Sequence, residues 1–239
     1  MKRLKEVRKS TQATKNVIIH PSAVIEDGVL FSDNFEKRDA PITIGKDCVI
    51  GAGAILLKGV NIGQGSRVLP GSIVKHDTPP QSVIQGNPAR VVNYTASSDH
   101  VNGIIEHPFD YIKNQTGVLS VCVSGKNAPF EFKRTFTLIE IESGNTRGNH
   151  AHKECHQFLT CYGGKVELFC DDGVNRKVIT LEQMKNTVHV LPGTWIALFN
   201  FEKGAVVTVH TSHEYDEADY LRDYAEFLTY KKTLLKIIK

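Results

Sequence analysis

Three of the ten histidines of this chain lie within seven residues, at His150, His152 and His156. In an extended strand alternate side chains share a face, so His150 and His152 are predicted to point the same way. Two imidazoles side by side in an apolar pocket are one way in which a protein places a base near neutral pH. The alternative interpretation is a polar strand face at a sheet edge. The apolar side chains predicted to wall the imidazoles are Phe158, Leu159 and Tyr162.

The bulk composition is typical of a soluble globular protein, with 41% hydrophobic and 23% charged residues among 239. A net charge of +3 is too small and too dispersed to indicate a nucleic-acid partner. The sequence contains no stretch with the length of a membrane span, and its first residues lack the apolar core of a signal peptide. Five cysteines without a paired framework favour free thiols in a reducing compartment. We therefore expect a cytoplasmic protein with no nucleic-acid or membrane partner.

An internal repeat organises the first third of the chain. An aliphatic residue recurs every six positions, and a small residue follows four places after most of them. A period of six fits neither a helix nor a simple strand, and it predicts a three-sided coil with one hexad on each face. Such a coil buries its core by stacking on its neighbours. The recurring aliphatic positions are Ile44, Ile50, Leu56, Ile62, Val68 and Val74.

The repeat resembles the left-handed parallel β-helix of the hexapeptide-repeat acyltransferases, and residues 1–95 are predicted to form that domain. The resemblance implies a trimer with acetyl-CoA in the groove between neighbouring prisms. It implies Asp33, in the insert that interrupts the repeat, as the residue that holds an acceptor amine. A prism that only assembles trimers is the alternative. The residues implied along the pantetheine are Gly51, Ala52, Gly53, Leu69 and Gly71, with Lys75 and Arg90 near the phosphates.

The second half of the chain has a different pattern. Residues 96–103 are small and polar and predict a linker. From residue 104 onward, short β-rich runs alternate with turn signals, which favours a sandwich or a jelly-roll barrel. The end, from Asp216 to Lys239, predicts a helical tail with acidic residues early and lysines late. The fold class is therefore all-β, a β-helix followed by a jelly-roll β-barrel (104–239) with a C-terminal helix.

The histidine segment has the spacing of the first cupin signature, but the ligand set of a metal cupin is incomplete. His156 stands where metal cupins carry glutamate, and Ile196 occupies the position of the histidine in the second signature. Three histidines can hold zinc or iron. The aliphatic Ile196 favours a site without metal, in which the imidazoles act as acid and base. The four residues that fit the first signature are Gly144, His150, His152 and Gly163.

The string R-G-N-H-A-H-K at 147–153 resembles the dTDP-sugar 3,4-ketoisomerases, which are metal-free cupins, and the string from Tyr215 to Tyr224 resembles their C-terminal pattern. The resemblance implies that a base removes the C3 proton of a 4-keto-6-deoxyhexose to give an enediol. We assign His152 as the base and His150 as its acid or shuttle partner. The residues assigned to substrate binding are Arg134 and Arg147 on the diphosphate, with Asn149 and Tyr162.

The two resemblances together are those of the WxcM-like bifunctional proteins of surface-polysaccharide synthesis. They imply a ketoisomerase fused to an N-acetyltransferase that acts on a dTDP-3-amino-3,6-dideoxyhexose, with acetyl-CoA as cosubstrate and no metal. Trimerisation of the prism and dimerisation of the cupin would close a hexamer. A ketoisomerase with an inactive prism and a metal-binding cupin are the rival hypotheses. The C4 configuration of the product stays open.

Overall fold

The computed structural model describes residues 16–32, 40–142 and 144–237, and the chain divides into two compact units, residues 1–95 and 96–239. The first unit is a parallel β-helix. Its described strands form three sheets, in the orders β1-β4-β7, β2-β5-β8-β10-β11 and β3-β6-β9. The strands are β1 (Val17–Ile19), β2 (Val24–Ile25), β3 (Leu30–Ser32), β4 (Ile42–Ile44), β5 (Val49–Ile50), β6 (Ile55–Leu57), β7 (Asn61–Ile62), β8 (Arg67–Val68), β9 (Ile73–Val74), β10 (Ser82–Gly86) and β11 (Ala89–Tyr94).

The aliphatic residue of each hexad stacks on its equivalent in the next coil. Ile44 pairs in register with Ile62, and Ile50 with Val68. All four side chains are at most 2% exposed. The predicted solenoid is therefore confirmed, and its core is the interior column of these side chains.

Glycines permit the close approach of successive coils. A Cβ atom on Gly51 would lie 2.6 Å from the backbone nitrogen of Pro70 and 2.8 Å from the carbonyl oxygen of Val68. No side chain fits there without displacing the neighbouring coil. The small residues of the repeat are thus required by backbone packing.

The second unit consists of two five-stranded sheets, in the orders β12-β20-β17-β22-β15 and β19-β18-β21-β16-β23, with a two-stranded β13-β14 hairpin. An apolar core that includes Leu159, Leu168, Val188 and Leu198 has side chains from both sheets. The predicted cupin-like barrel is confirmed. Its strands are β12 (Ile104–Pro108), β13 (Ile112–Asn114), β14 (Gly117–Leu119), β15 (Arg134–Leu138), β16 (Arg147–His152), β17 (Gln157–Gly163), β18 (Lys165–Asp171), β19 (Arg176–Glu182), β20 (Asn186–Val190), β21 (Trp195–Phe199), β22 (Val206–Thr211) and β23 (Tyr220–Leu221).

The residues before β12 are fixed to this barrel. The backbone nitrogens of Ser97 and Ser98 donate to the carbonyl oxygen of Arg176 at 2.9 and 3.1 Å. Val101 is 3% exposed and belongs to the barrel core. The segment interpreted as a linker from its composition therefore packs on the second unit.

The C-terminal helix begins later than the sequence predicts. Residues Glu217–Asp219 form one 3-10 turn, Tyr220–Leu221 pair with β16, and the helix α1 spans Tyr224–Ile237. Asp223 caps it, because its Oδ1 accepts a hydrogen bond from the backbone nitrogen of Glu226 at 2.8 Å. The helix packs through Phe227 on Trp195, with ring centroids 5.6 Å apart. Within the described ranges, no helix has the length and apolar character needed to cross a membrane.

Candidate active site

Strand β16 places two imidazoles side by side on one face of its sheet. A bulge interrupts the strand between Gly148 and His150, and Asn149 within it adopts a left-handed conformation with φ 56°. After the bulge the normal alternation resumes, so Ala151 points away and His150 and His152 share a face. Their ring centroids are 4.9 Å apart, with an interplanar angle of 88°. The predicted pairing of these two histidines is therefore present.

His152 is held through both ring nitrogens. Its Nδ1 lies 2.6 Å from Oδ2 of Asp219, and its Nε2 lies 3.2 Å from Nε2 of Gln157. The other oxygen of Asp219 accepts hydrogen bonds from the backbone nitrogens of Lys153 and Glu154, at 2.9 and 2.7 Å. A carboxylate can only accept, so Nδ1 of His152 donates to Asp219 and Nε2 carries the lone pair. The Gln157 amide nitrogen then donates to that lone pair. The basic atom of the site is thus Nε2.

Two opposing influences set the proton affinity of His152. Burial lowers its pKa below 6.5, and the hydrogen bond to Asp219 and its negative charge oppose that shift. Burial alone would raise the pKa of Asp219. The hydrogen bond from His152 and those from the backbone outweigh it, and the pKa of this carboxyl is lowered. At neutral pH the pair is therefore a neutral imidazole beside an ionised carboxylate.

His150 is a neutral imidazole with two available nitrogens. Neither Nδ1 nor Nε2 has a hydrogen-bond partner among the described residues, although both are shielded from solvent. Burial, and next the neighbouring His152, lower its pKa to about 4. Its ring lies 4.8 Å from the ring of Tyr220, which is 4.3 Å from that of His152. A buried polar group without a partner is costly, so these nitrogens are suited to contact a ligand.

Two guanidinium groups converge on Tyr220. Nη2 of Arg134, on β15, donates to the Tyr220 hydroxyl at 3.4 Å. The Arg222 guanidinium lies 4.2 Å from the centroid of the Tyr220 ring, and it makes a two-point ion pair with Glu217 at 2.6 and 2.9 Å. Guanidinium groups pair with phosphate oxygens at two points. Cationic groups are thus present beside the imidazoles.

Of the residues predicted for this site, the structure brings together His150, His152 and Arg134. Arg147 is exposed at the first position of β16. The Asn149 side-chain amide donates to Thr146 at 3.0 Å, because the bulge turns it from the strand alternation. Arg147 has no described contact with the imidazoles.

Tyr162 and His156 lie apart from the imidazole pair, which corrects the interpretation of one continuous wall. Strand β17 alternates, so Gln157 faces His152, whereas Phe158, Thr160 and Tyr162 line a separate pocket of about 340 Å³. The Tyr162 ring contacts Phe109 there, with centroids 5.7 Å apart. Nδ1 of His156 lies 2.9 Å from Nε2 of His189. The even sequence spacing does not place His156 on the same face as His150 and His152. The reason is that Lys153–His156 lie between β16 and β17 and follow the alternation of neither strand.

The cupin metal ligands are not reproduced. Ile196 is 3% exposed and pairs in register with His150, so an aliphatic side chain occupies that position. Among the described residues, a group of three potential metal ligands with all ligand atoms within 4.8 Å of one another is formed by His152, Cys155 and Asp219. This set differs from the three histidines of the sequence motif.

The residues implied for acetyl-CoA lie mostly at one corner of the β-helix. The backbone nitrogen of Gly71 donates to the carbonyl oxygen of Ala52 at 2.9 Å, which stacks the two turns. Gly53 and Gly71 have φ values of 67° and 69°, and a Cβ on either would meet nothing within 4 Å. Gly51 and Leu69 belong to the same two turns. Lys75 follows β9 at the next corner, and Arg90 is exposed on β11. Asp33 lies outside the described residues.

Sequence reasoning missed Asp219, Tyr220 and Gln157. Charge and apolar spacing assigned the first two to a helix, although they lie in a turn and a short strand paired with β16. The signal available was the string from Tyr215 to Tyr224, whose tyrosines and acids recur at short spacing. Gln157 carried no signal, because only the strand alternation of β17 turns it toward His152.

The comparisons with known proteins divide the chain in the same order as the fold. Residues 103–232 match the FdtA family, described as WxcM-like, C-terminal. Residues 41–75 match the hexapeptide repeat of succinyl-transferase.

The proteins similar to the second unit are sugar-nucleotide isomerases. The chain is 35% identical over 129 residues to a TDP-4-oxo-6-deoxy-alpha-D-glucose-3,4-oxoisomerase of Aneurinibacillus thermoaerophilus, covering 54% of this chain and 91% of that protein. A mutant of the 3,4-ketoisomerase QdtA from Thermoanaerobacterium thermosaccharolyticum, in complex with TDP-4-keto-6-deoxyglucose, aligns with a TM-score of 0.54 and 28% identity over 56% of this chain and 97% of its own. A 3,4-ketoisomerase from Helicobacter canadensis aligns with a TM-score of 0.53 and 33% identity, covering 56% of this chain and 99% of its own.

The first unit resembles part of a larger enzyme. It is 43% identical over 79 residues to a 2,3,4,5-tetrahydropyridine-2,6-dicarboxylate N-acetyltransferase of Staphylococcus aureus. That match covers 33% of this chain and 30% of the relative. The chain thus spans less than a third of the length of the acetyltransferase it matches.

Proposed function

This chain belongs to the FdtA family of WxcM-like C-terminal domains, and we propose from that premise that its second unit is a 3,4-ketoisomerase. Its substrate is a TDP-linked 4-keto-6-deoxyhexose, by analogy with the relatives' substrates. The observation that carries the proposal is the His152–Asp219 pair, which leaves the Nε2 lone pair beside an unpartnered His150. Proton transfer between adjacent carbons requires a base and a second group that can donate and accept a proton, and a neutral imidazole beside the base can be that group.

The reaction begins at C3 of the sugar. This carbon is adjacent to the C4 carbonyl, so its proton is acidified, and Nε2 of His152 removes it to give an enediolate. The resulting imidazolium is stabilised by the ionised Asp219, whose two backbone hydrogen bonds fix its position. Asp219 touches the base and not the sugar, so it is a positioning residue.

His150 completes the transfer. A neutral imidazole can donate from one nitrogen and accept at the other, so it carries the C3 hydroxyl proton to the C4 oxygen. Return of a proton to C4 gives the 3-keto sugar and restores a neutral His152. The low pKa of His150 keeps the ring neutral throughout the neutral pH range. The face on which C4 receives its proton decides the epimer formed.

Arg134 and Arg222 are proposed to face the diphosphate of the substrate. Both contact Tyr220, whose ring also contacts the rings of the two imidazoles. Arg222 is already engaged with Glu217, so its orientation is set before substrate arrives. Arg147 and Asn149, at the exposed beginning of β16, are proposed to contact outer parts of the same substrate.

Solvent deuterium tests the isomerase. With the TDP-linked 4-keto-6-deoxyglucose, we expect deuterium at C3 or C4 and a 3-keto product by NMR. His152→Asn should lower kcat/KM about 10²–10⁴-fold, because proton transfer by a positioned group contributes that much. His156→Asn is the matched control and should retain activity, because the His156 ring contacts His189 and not the imidazole pair. Full exchange in His152→Asn contradicts the assignment of the base.

A second activity, N-acetylation, is proposed for the first unit. Its support is the similarity to an N-acetyltransferase and the open corner at Gly53 and Gly71, where a ligand can approach the backbone. The acceptor is a TDP-3-amino-3,6-dideoxyhexose, the product expected when a separate aminotransferase acts on the 3-keto sugar. Asp33 is proposed to hold the amine, and Lys75 and Arg90 the phosphates of acetyl-CoA.

Release of free coenzyme A thiol measures this activity directly. We expect thiol release that depends on both acetyl-CoA and the amino sugar. If the isomerase is active and no thiol is released, the proposed acetyltransferase activity is wrong. The β-helix then serves only to assemble an enzyme of surface-polysaccharide synthesis.

A further inference from the structure

Cys155 lies beside the proposed base without a role in the isomerase. It is 2% exposed, follows β16 by three residues, and is a free thiol. Its sulfur is within 4.8 Å of both the His152 and the Asp219 ligand atoms. Sulfur, nitrogen and carboxylate oxygen together are a donor set suited to Zn²⁺.

We propose that His152, Cys155 and Asp219 form an inhibitory zinc site. One zinc ion would bind Nδ1 of His152, the Cys155 thiolate and Oδ2 of Asp219, with a water molecule as fourth ligand. Ligand atoms on a tetrahedral zinc lie roughly 3.5 Å apart. To hold the ion, the 2.6 Å His152–Asp219 pair must open and the Cys155 sulfur, now within 4.8 Å of both ligand atoms, must come nearer.

Charge and the surrounding hydrogen bonds favour this ion. Two anionic ligands neutralise the divalent cation, which lowers the cost of burying it. Asp219 is held through Oδ1 by the backbone nitrogens of Lys153 and Glu154, so Oδ2 is the oxygen left for a metal. Ser212 lies beside the sulfur, with its hydroxyl 3.9 Å from Cys155. Such outer partners orient metal ligands.

Zinc bound at Nδ1 would prevent His152 from acting as a base. The metal replaces the Nδ1 proton, and that proton moves to Nε2, so the ring stays neutral but loses the lone pair that removes the C3 proton. The Cys155 thiol releases one proton to solvent, and atoms and charge balance. Asp219 is withdrawn from the imidazole at the same time. This inhibition rests on the proposed isomerase function, whereas metal binding does not.

Cobalt provides a readout without catalysis. Titration of the metal-free full chain with Co²⁺ should produce a thiolate-to-cobalt charge-transfer band that saturates at one equivalent per chain. Cys155→Ser should abolish the band. Cys122→Ser removes the half-buried thiol on another part of the barrel, and it should leave the band unchanged.

Inhibition is measured with Zn²⁺ in the isomerase assay. We expect loss of activity that a chelator reverses, and Cys155→Ser should need at least about tenfold more zinc, because weakening a metal site costs that much or more. Should Cys155→Ser fail to fold, zinc-dependent protection of Cys155 from alkylation in the unaltered chain, mapped by mass spectrometry, replaces it.

The outcomes separate the two proposals. A band that persists in Cys155→Ser, or no band and no protection, overturns the zinc site. Equal zinc sensitivity of Cys155→Ser and the unaltered chain overturns the inhibitory role. A Cys155-dependent band in a chain with no isomerase activity supports the metal site and rejects the proposed function.

Discussion

A carboxylate 67 residues downstream of His152 decides which of its ring nitrogens carries the proton. At the residue scale, the site depends on this one contact, because donation from Nδ1 to Asp219 favours the tautomer that has its lone pair on Nε2. The second imidazole differs from the first in having no such partner among the described residues. Identical side chains two positions apart thus acquire different chemistry from their surroundings.

Removing the charge of Asp219 should separate positioning from catalysis. In Asp219→Asn the groups that raise the pKa of His152 are lost, so its pKa should fall further below 6.5. We expect kcat to drop about 10²–10⁴-fold with little change in KM, because the amide no longer fixes the productive tautomer. The acid limb of the kcat/KM profile should move to lower pH.

Asp216→Asn is the matched control, because Asp216 caps the adjacent 3-10 turn and has no described contact with His152. An unmoved acid limb in Asp219→Asn would show that His152 is not the group that titrates.

His150 should make folding stability depend on pH. Its pKa is about 4 in the folded chain against 6.5 unfolded, so the unfolded state binds more protons between those values. The contribution of His150 to the free energy of unfolding is fully present above pH 6.5. It is lost as the pH falls through 4, and its size is on the order of 3 kcal/mol.

Calorimetric melting between pH 7 and pH 4 measures this effect. His150→Gln should flatten the decline of the barrel transition, whereas His20→Gln, at an exposed position of the first unit, should not. Parallel curves for His150→Gln and the unaltered chain would refute the assignment.

At the element scale, sequence patterns succeed where one repeated constraint acts and fail where contacts are distant. The hexad period predicts the β-helix because each aliphatic residue must stack on the next coil, as Ile50 does on Val68. The pairing of His150 with His152 follows from strand alternation. The C-terminal segment does not follow from its own pattern, because pairing of Tyr220 with His152 overrides the local helical preference. The predicted contact of Tyr162 with the imidazoles fails because β17 has two faces, and the amino-acid composition of the strand does not show which face meets them.

Coil spacing provides a test of the first unit. A Cβ on Gly63 would lie 2.5 Å from the backbone nitrogen of Pro80, and backbone cannot move aside easily. Gly63→Ala should therefore destabilise the β-helix transition by about 1–3 kcal/mol in calorimetry.

Gly28→Asn is the matched control. Asparagine tolerates the left-handed conformation at this corner, and a Cβ there meets its nearest atom at 3.7 Å. Equal melting of both variants would mean that the coils can separate to admit a methyl group.

At the scale of the whole molecule, two units with separate cores are joined in one chain. If the prism assembles trimers and the barrel dimers, closure of both contacts gives a hexamer. Light scattering should then give six times the chain mass of 26.5 kDa. A monomer would contradict both contacts. A trimer would support only the contact between prisms, and a dimer only the contact between barrels.

The single tryptophan of the chain, Trp195, lies between the barrel and the C-terminal helix, with the rings of Tyr224 and Phe227 against it. The β-helix has no tryptophan. Ultraviolet emission excited in the indole band therefore reports on one half of the protein alone. Unfolding of the barrel can therefore be followed by tryptophan fluorescence without an attached dye. A calorimetric transition that has no matching change in fluorescence then belongs to the β-helix.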